Sequence, residues 1–161
     1  MKLSSLKINS SRAEHGAWVR DLPEMGDLRL KVRGFGNTDY TAFLAKERAL
    51  VPRDQREGGR RDGAIKQQHA DAILIRGMVE HILIDWDGLT DENDKPVPFS
   101  KERAMAFLAD PDFRPLRNAV AFAASEVEEM ESDRVEAVVG NSSSASGGKP
   151  NGRRRQSTSA G

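Results

Sequence analysis

The densest group of side chains that could do chemistry is an acidic segment, residues 85–94, which holds five carboxylates in ten positions. Such residues bind calcium in an EF-hand loop, which requires glycine at its sixth position and glutamate at its twelfth. Counted from Asp85, those positions hold Thr90 and Pro96, and the frame that begins at Asp87 fails in the same way. The spacing therefore favours a solvated acidic turn over a calcium site.

Histidine, the other common ligand and base, occurs at His15, His69 and His81. His69 and His81 are twelve residues apart on one predicted helix, too far to share a metal ion. The Gly34-Phe-Gly36 motif lacks the rest of a dinucleotide-binding fingerprint and is better interpreted as a turn. The chain has no cysteine, which removes disulfides, thiol catalysis and cysteine-ligated zinc. We expect a non-enzymatic protein with no metal site and no cofactor.

Two arginine clusters could contact phosphates, one within residues 53–61 and one at residues 153–155. Neither cluster has interleaved aromatic residues that could stack on bases, and acidic residues lie within the first. A solvated loop and tail are favoured over a nucleic-acid site.

Composition indicates one soluble domain. The 161 residues are 31% charged and 37% hydrophobic, enough for a single core. No apolar run is long enough to cross a bilayer, and the N-terminus does not resemble a signal peptide. The net charge is zero, but residues 1–84 carry +4, residues 85–140 carry −8 and the remainder carries +4. This division can steer association with charged partners, or between copies arranged head to tail.

The N-terminal third predicts a loosely held arm followed by a hairpin. Residues 1–15 have no clear period and are expected to form an arm or a short strand. Residues 17–20 and 27–33 are strand candidates, with a turn between them. The second alternates apolar and polar residues, which directs Leu28, Leu30 and Val32 inward.

The remainder predicts helices. One runs from about Asp39 to Leu50, capped by Thr38 or Asn37, and an exposed loop follows over residues 52–63. The most hydrophobic helix is predicted over residues 63–84, with an Asp62 cap, and is expected to lie at the centre of the core. Its apolar stripe comprises Ala72, Ile75, Val79 and Ile82, with Ile65, Ile73 and Leu83 alongside.

Two more helices are predicted over residues 101–108 and 113–138, the second with an apolar seam at alternating spacings of four and three. Beyond Gly140 the chain is rich in Ser, Gly and Arg and is expected to be disordered. We predict an α+β fold in which residues 1–140 form a single globular domain. Residues 1–36 would be its arm and β-hairpin and residues 37–140 its helical part, followed by a disordered basic tail over residues 141–161.

Residues 84–100 organise the chain. An apolar run leads to Trp86, the acidic turn follows, and Pro96-Val-Pro-Phe-Ser100 opens the next helix with Ser100 as its N-cap. Trp86 and Phe99 have two interpretations: they close one end of the helical core, or they anchor a partner, since tryptophan is enriched at interface hot spots.

This passage resembles the tail assembly chaperones of long-tailed, siphovirus-like bacteriophages. The resemblance covers about fifty residues, Met78 to Met130. The matching motif residues are Trp86, Gly88, Asp91, Glu92, Pro96, Val97, Pro98, Phe99 and Ser100, followed by a helix with Ala104, Phe107 and Leu108. The hairpin over residues 16–33 matches no motif of that family.

The resemblance implies a non-enzymatic protein of the host bacterial cytoplasm, absent from the mature virion. Its partners would be the tape-measure protein, the tail-tube protein and other copies of itself, with no membrane partner. By the same analogy, the partner-binding residues would be Trp86, Phe99, Leu116, Val120, Ala123 and Val127. Two alternatives stay open: a structural virion component, such as a tail-completion or head–tail joining protein, and a small nucleic-acid-binding regulator.

Overall fold

The computed structural model describes residues 1–142, except for the side chains of Ser5 and residues 130–142. Within this part the fold is α+β, as predicted: a small antiparallel sheet is covered by helices. The strands are β1 (Ala17–Val19), β2 (Arg29–Val32) and β3 (Leu83–Asp87). The helices are α1 (Ser10–His15), α2 (Thr38–Leu50), α3 (Gln67–Gly77), α4 (Lys101–Ala109) and α5 (Arg114–Ser142).

The predicted hairpin is confirmed. Strands β1 and β2 pair antiparallel, with Trp18 opposite Lys31 and Val19 opposite Leu30. The alternation placed the side chains of β2 correctly, because Leu30 and Val32 are fully buried and Leu28 nearly so. This edge of the sheet follows from the period of its own sequence.

The third strand was not predicted. The helix expected over residues 63–84 begins at Gln67, passes through a π-helical turn at Met78–Ile82, and ends where β3 begins. Strand β3 pairs antiparallel with β2, and Trp86 lies opposite Leu30. The prediction was wrong because an apolar run satisfies a helix stripe and a buried strand equally well. The hydrogen bonds offered by β2, distant in sequence, decide between them.

The predicted stripe of this helix is also corrected in one position. Ile75, Val79 and Ile82 are buried, as is Ile73 beside the stripe, but Ala72 is exposed. Near the end of α3, Gly77 lies against the rings of Tyr40 and Phe43, where a Cβ would come within 2.8 Å of Tyr40. Helix α2 packs closely on α3 because this position has no side chain.

The predictions for α2, α4 and α5 are confirmed to within about two residues at their starts. Asn37 caps α2 and Ser100 caps α4, each accepting a backbone N–H bond from the residue three positions later. Residues 10–15 form a helix, so the expectation of an arm or strand over residues 1–15 is wrong there. Helix α5 ends at Ser142, and the rest of the predicted tail lies outside the described residues.

Helix α1 is held by polar contacts that periodicity cannot reveal. The Glu14 carboxylate accepts bonds from the Thr38 backbone N–H at 2.7 Å and from its hydroxyl at 3.0 Å. The Arg33 guanidinium lies between Glu14 and Asp39, at 3.3 and 2.8 Å. These bonds join α1 to the end of β2 and the start of α2.

The core lies between the sheet and helices α3 to α5. Helix α5 contributes a continuous buried seam that packs against β1 and β2. Its described core residues are Leu116, Ala119, Val120, Ala123, Ala124 and Val127. The predicted spacing of four and three therefore marks the chain's own core.

Asn37 is the one polar residue that is buried among the described side chains. Its amide nitrogen donates to the carbonyls of Gly34 at 2.7 Å and His81 at 3.1 Å. Its side-chain oxygen accepts from the Tyr40 backbone N–H at 2.8 Å. One side chain thus caps α2, closes the turn after β2 and holds the π-helical turn before β3.

We predict that Asn37→Ala lowers the free energy of unfolding by about 3 kcal/mol, because it removes the cap and the side-chain donor to the carbonyls of Gly34 and His81. Urea denaturation measures the change. Asn37→Asp keeps the cap acceptor but loses the amide donor, so it should destabilise as well. Asn118→Ala, at an exposed position of α5, should change stability little, and an equal loss in both alanine variants would contradict the role of Asn37.

The only tyrosine gives a second prediction. Burial raises the pKa of Tyr40 above its ordinary value of 10.0, and nearby Arg48 opposes that effect. The folded state therefore retains the phenolic proton after the unfolded state has lost it, and this contribution to stability is lost as pH rises above 10.0. The tyrosinate absorbance should titrate later in the folded protein than in urea, and Tyr40→Phe should weaken the alkaline loss of stability. Coincident titrations would contradict this.

Candidate functional site

Trp86 is the centre of a row of four aromatic rings, which we call the aromatic row. Phe99 meets the Trp86 ring edge-on, with centroids 4.9 Å apart. On the other side, Phe107 stacks on Trp86 at 5.9 Å and Phe113 stacks on Phe107 at 4.9 Å. The row runs from Phe99, which is partly buried, through the buried Trp86 to Phe113, which is 43% exposed.

The segment after β3 is folded back to form this row. Asp91 accepts bonds from the backbone N–H groups of Asn93 and Lys95, and the Val97 N–H donates to the Leu89 carbonyl at 2.9 Å. The Trp86 indole N–H donates to the Val97 carbonyl at 2.6 Å. The acidic segment is therefore a turn whose central carboxylate bonds its own backbone, as the sequence suggested.

The exposed end of the aromatic row lines a groove. The groove consists of two adjoining hollows of about 370 and 340 Å³ that share Glu24, Met25 and Pro115. Phe107 and Phe113 border the first hollow, and Phe122, which is 40% exposed, borders the second. The groove lies between the hairpin turn and the segment from Asp112 to Phe122.

The charged residues that line this groove are all acidic. Its apolar lining is accompanied by the carboxylates of Glu24 and Asp112, and no lysine or arginine lines either hollow. We call this surface the acidic-rimmed groove. Its chemistry suits an apolar side chain flanked by a cation.

A second groove lies between α3, α4 and the start of α5, with a volume of about 710 Å³. Arg76, Arg114 and Arg117 line it, together with one carboxylate, Asp71. Asp71 accepts a bond from the Gln67 amide at 2.7 Å, and Arg76 pairs with Glu47. We call this surface the arginine groove.

The structure places the predicted partner-binding residues inside the chain's own core. Trp86 and Leu116 are almost completely buried, and Val120, Ala123 and Val127 are completely buried. Phe99 is partly buried against Trp86. Each has a structural role in this conformation, and a role in partner binding stays a prediction.

The groove residues that sequence reasoning missed are Met25, Phe113 and Phe122. Phe122 carried a usable signal, because it is a large apolar residue off the buried seam of α5. Met25 carried none, since a single methionine in a hairpin turn does not indicate which surface it will face. Only the packing of the hairpin on α5 brings these residues together.

Two of the four arginines in the first cluster, Arg56 and Arg60, bond to other groups of the chain. The Arg56 guanidinium donates to the carbonyls of Arg48, Val51 and Gly63, at 2.6, 3.3 and 3.1 Å, and so holds the loop against the end of α2. Arg60 pairs with Asp62 at 2.9 Å. The second cluster, residues 153–155, lies outside the described residues, as does most of the predicted basic tail.

Within the described residues, no three His, Asp or Glu side chains are placed to hold one metal ion. His81 instead lies against the Phe43 ring, with centroids 5.1 Å apart. None of the described helices combines the length and the apolar character needed to span a membrane.

Comparison with known proteins places this α+β domain in a phage family. Residues 35–141, about two thirds of the chain, match the family model described as YdaY prophage protein. The match includes α2 to α5 and β3 and leaves the β1–β2 hairpin outside. No curated protein and no solved structure matches the chain.

The chain belongs to the YdaY prophage protein family. It is therefore a phage-derived protein. The matched region contains the aromatic row, the arginine groove and the α5 side of the acidic-rimmed groove.

We predict that the two ends of the aromatic row differ in their effect on stability. Trp86→Ala removes a buried ring and should lower the free energy of unfolding by about 3–5 kcal/mol, whereas Phe113→Ala, at the exposed end, should lower it by roughly 1 kcal/mol. Chemical denaturation measures both. A large loss in Phe113→Ala would show that Phe113 belongs to the core, and the groove would then lose one of its surface anchors.

Proposed function

We propose that this protein is a non-enzymatic tail assembly chaperone. It binds the tape-measure protein and helps to recruit tail-tube subunits in the host cytoplasm, and it is absent from the mature virion. Its phage origin supports the setting. The resemblance of residues 78–130 to tail assembly chaperones supports the specific role.

The acidic-rimmed groove is the observation that carries the proposal. Phe113 and Phe122 keep about two fifths of their surface exposed on either side of Pro115. Large exposed aromatic side chains that border an apolar hollow are typical of protein-binding surfaces. A groove of this kind binds the apolar face of an amphipathic helix.

The negative charge at the rim of the groove indicates which kind of helix it would bind. Glu24 and Asp112 border the groove without a lining cation, so a helix with lysine or arginine beside its apolar residues complements it best. Tape-measure proteins are long and helical, and such helices supply many segments of this kind. The proposed ligand is therefore a basic amphipathic segment of the tape-measure protein.

Trp86 and Phe99 support the groove from behind. Phe99 packs against Trp86, Trp86 stacks on Phe107, and Phe107 stacks on Phe113 at the groove edge. The motif that carries the resemblance thus has a positioning role in this proposal. Direct contact with the partner falls to Phe113 and Phe122.

The test is co-expression with the long helical tape-measure candidate of the same prophage, followed by affinity pull-down. We predict that wild type keeps the partner soluble and recovers it, and that Phe113→Ser combined with Phe122→Ser loses about tenfold or more of the recovery, because two anchors are removed. Leu50→Ser is the matched control, since Leu50 is an exposed apolar residue of α2 outside the groove. It should behave like wild type.

Two outcomes would overturn the proposal. One is equal recovery with wild type and the double variant, provided that circular dichroism shows both are folded. The other is stoichiometric presence of the protein in purified virions together with no tape-measure binding, which would make it a structural component of the particle.

A further inference from the structure

The segment before α1, residues 2–8, exposes several large apolar side chains, and we call it the leucine arm. Leu3, Leu6 and Ile8 keep 79%, 61% and 59% of their surface exposed. None of the described side chains of the arm belongs to the hydrophobic core. Exposed apolar residues grouped in this way indicate a surface that a partner covers.

The leucine arm presents two apolar side chains beside a cation. Residues Leu3–Leu6 form a 3-10 helical turn, in which side chains three residues apart lie on the same side. Leu3 and Leu6 are therefore neighbours on one face. Lys7 follows them, is exposed, and forms no ion pair with another described residue.

The acidic-rimmed groove is complementary to this arm. Its two adjoining hollows match two neighbouring leucine side chains, and each hollow is bordered by an exposed phenylalanine ring. Glu24 lines both hollows and forms no ion pair with another described residue. A carboxylate in this position favours a cation beside the apolar pair, as Lys7 is in the arm.

The arm and the groove do not meet within one copy. The Asn9 backbone N–H donates to the Glu128 carbonyl at 3.2 Å, which holds the end of the arm against α5. None of the described residues of the arm lines either hollow. The leucines and the groove are thus both exposed, and a second copy can cover each of them.

We infer that the leucine arm of one copy binds the acidic-rimmed groove of a second copy, with Leu3 and Leu6 in the two hollows and Lys7 beside Glu24. Each copy has one arm and one groove, so two copies that exchange arms fill both grooves. The contact has few anchors, and a partner with more anchors displaces it. Displacement by the tape-measure segment rests on the proposed function, whereas the exchange of arms does not.

Sedimentation velocity over a series of protein concentrations is the experiment. Wild type should form a dimer as the concentration rises. Leu3→Ser combined with Leu6→Ser should weaken dimerisation about tenfold or more, and so should Phe113→Ser combined with Phe122→Ser, because each pair removes two anchors. An equimolar mixture of these two double variants should associate more strongly than either alone, since one keeps the groove and the other keeps the arm.

The matched control is Leu50→Ser combined with Leu74→Ser, two exposed apolar residues outside the arm and the groove. It should dimerise as wild type does, and circular dichroism checks that every variant is folded. If the groove variant unfolds, Lys7→Glu and Glu24→Lys replace it, because both residues are exposed. Each single reversal should weaken dimerisation about threefold or more. A mixture of the two should regain it, because both contacts of the mixed dimer then join opposite charges.

The inference is overturned by a wild type that stays monomeric, by an arm variant that dimerises normally, or by a mixture of the two double variants that does not regain association. The pull-down with the tape-measure candidate separates this inference from the proposed function. The arm variant should recover the partner at least as well as wild type, because its groove stays open. Failure of both to recover the partner, with dimerisation as predicted, would contradict only the proposed function.

Discussion

The arrangement of sheet and helices depends on the buried amide of Asn37. Its three bonds join the turn at Gly34, the first turn of α2 at Tyr40, and the π-helical turn at His81. Gly34 and Tyr40 are each three residues from Asn37, whereas His81 is 44 residues away, so the bond to the His81 carbonyl is the long-range one. This bond supports the pairing of β3 with β2, because His81 lies just before the strand. The bonding needs a donor and an acceptor on one short side chain, a requirement that asparagine meets.

The aromatic row connects β3 to the protein surface, so the position of the strand determines the position of the exposed rings. Trp86 is held by its strand and by the bond from its indole N–H to the Val97 carbonyl. Phe107 stacks on Trp86 and is therefore held in place as well. Phe113 ends the row at solvent. A ligand that contacts Phe113 would therefore touch an element coupled by direct packing to the centre of the sheet. Stiff support of this kind keeps the cost of ordering the site on binding low.

The junction between α4 and α5 distributes its side chains between two grooves of opposite charge. Asp112, Phe113 and Pro115 face the acidic-rimmed groove, whereas Arg114 and Arg117 face the arginine groove. Because successive residues of a helix point in different directions, one short segment can serve two surfaces. The zero net charge of the chain does not reveal this division.

The sequence by itself determined those elements whose pattern is local: the alternation of β2, the seam of α5, and the cap at Ser100. It also indicated that Trp86 and Phe99 belong together, because turn residues fold the chain between them. Tertiary structure alone decided that Ile82 to Ile84 lead into a strand, since an apolar run fits helix and strand equally and the pairing with β2 is long-range. It alone brought Met25 to α5 and so made the groove. Periodicity reports which face of an element is buried, but the partner of that face depends on contacts between residues distant in sequence.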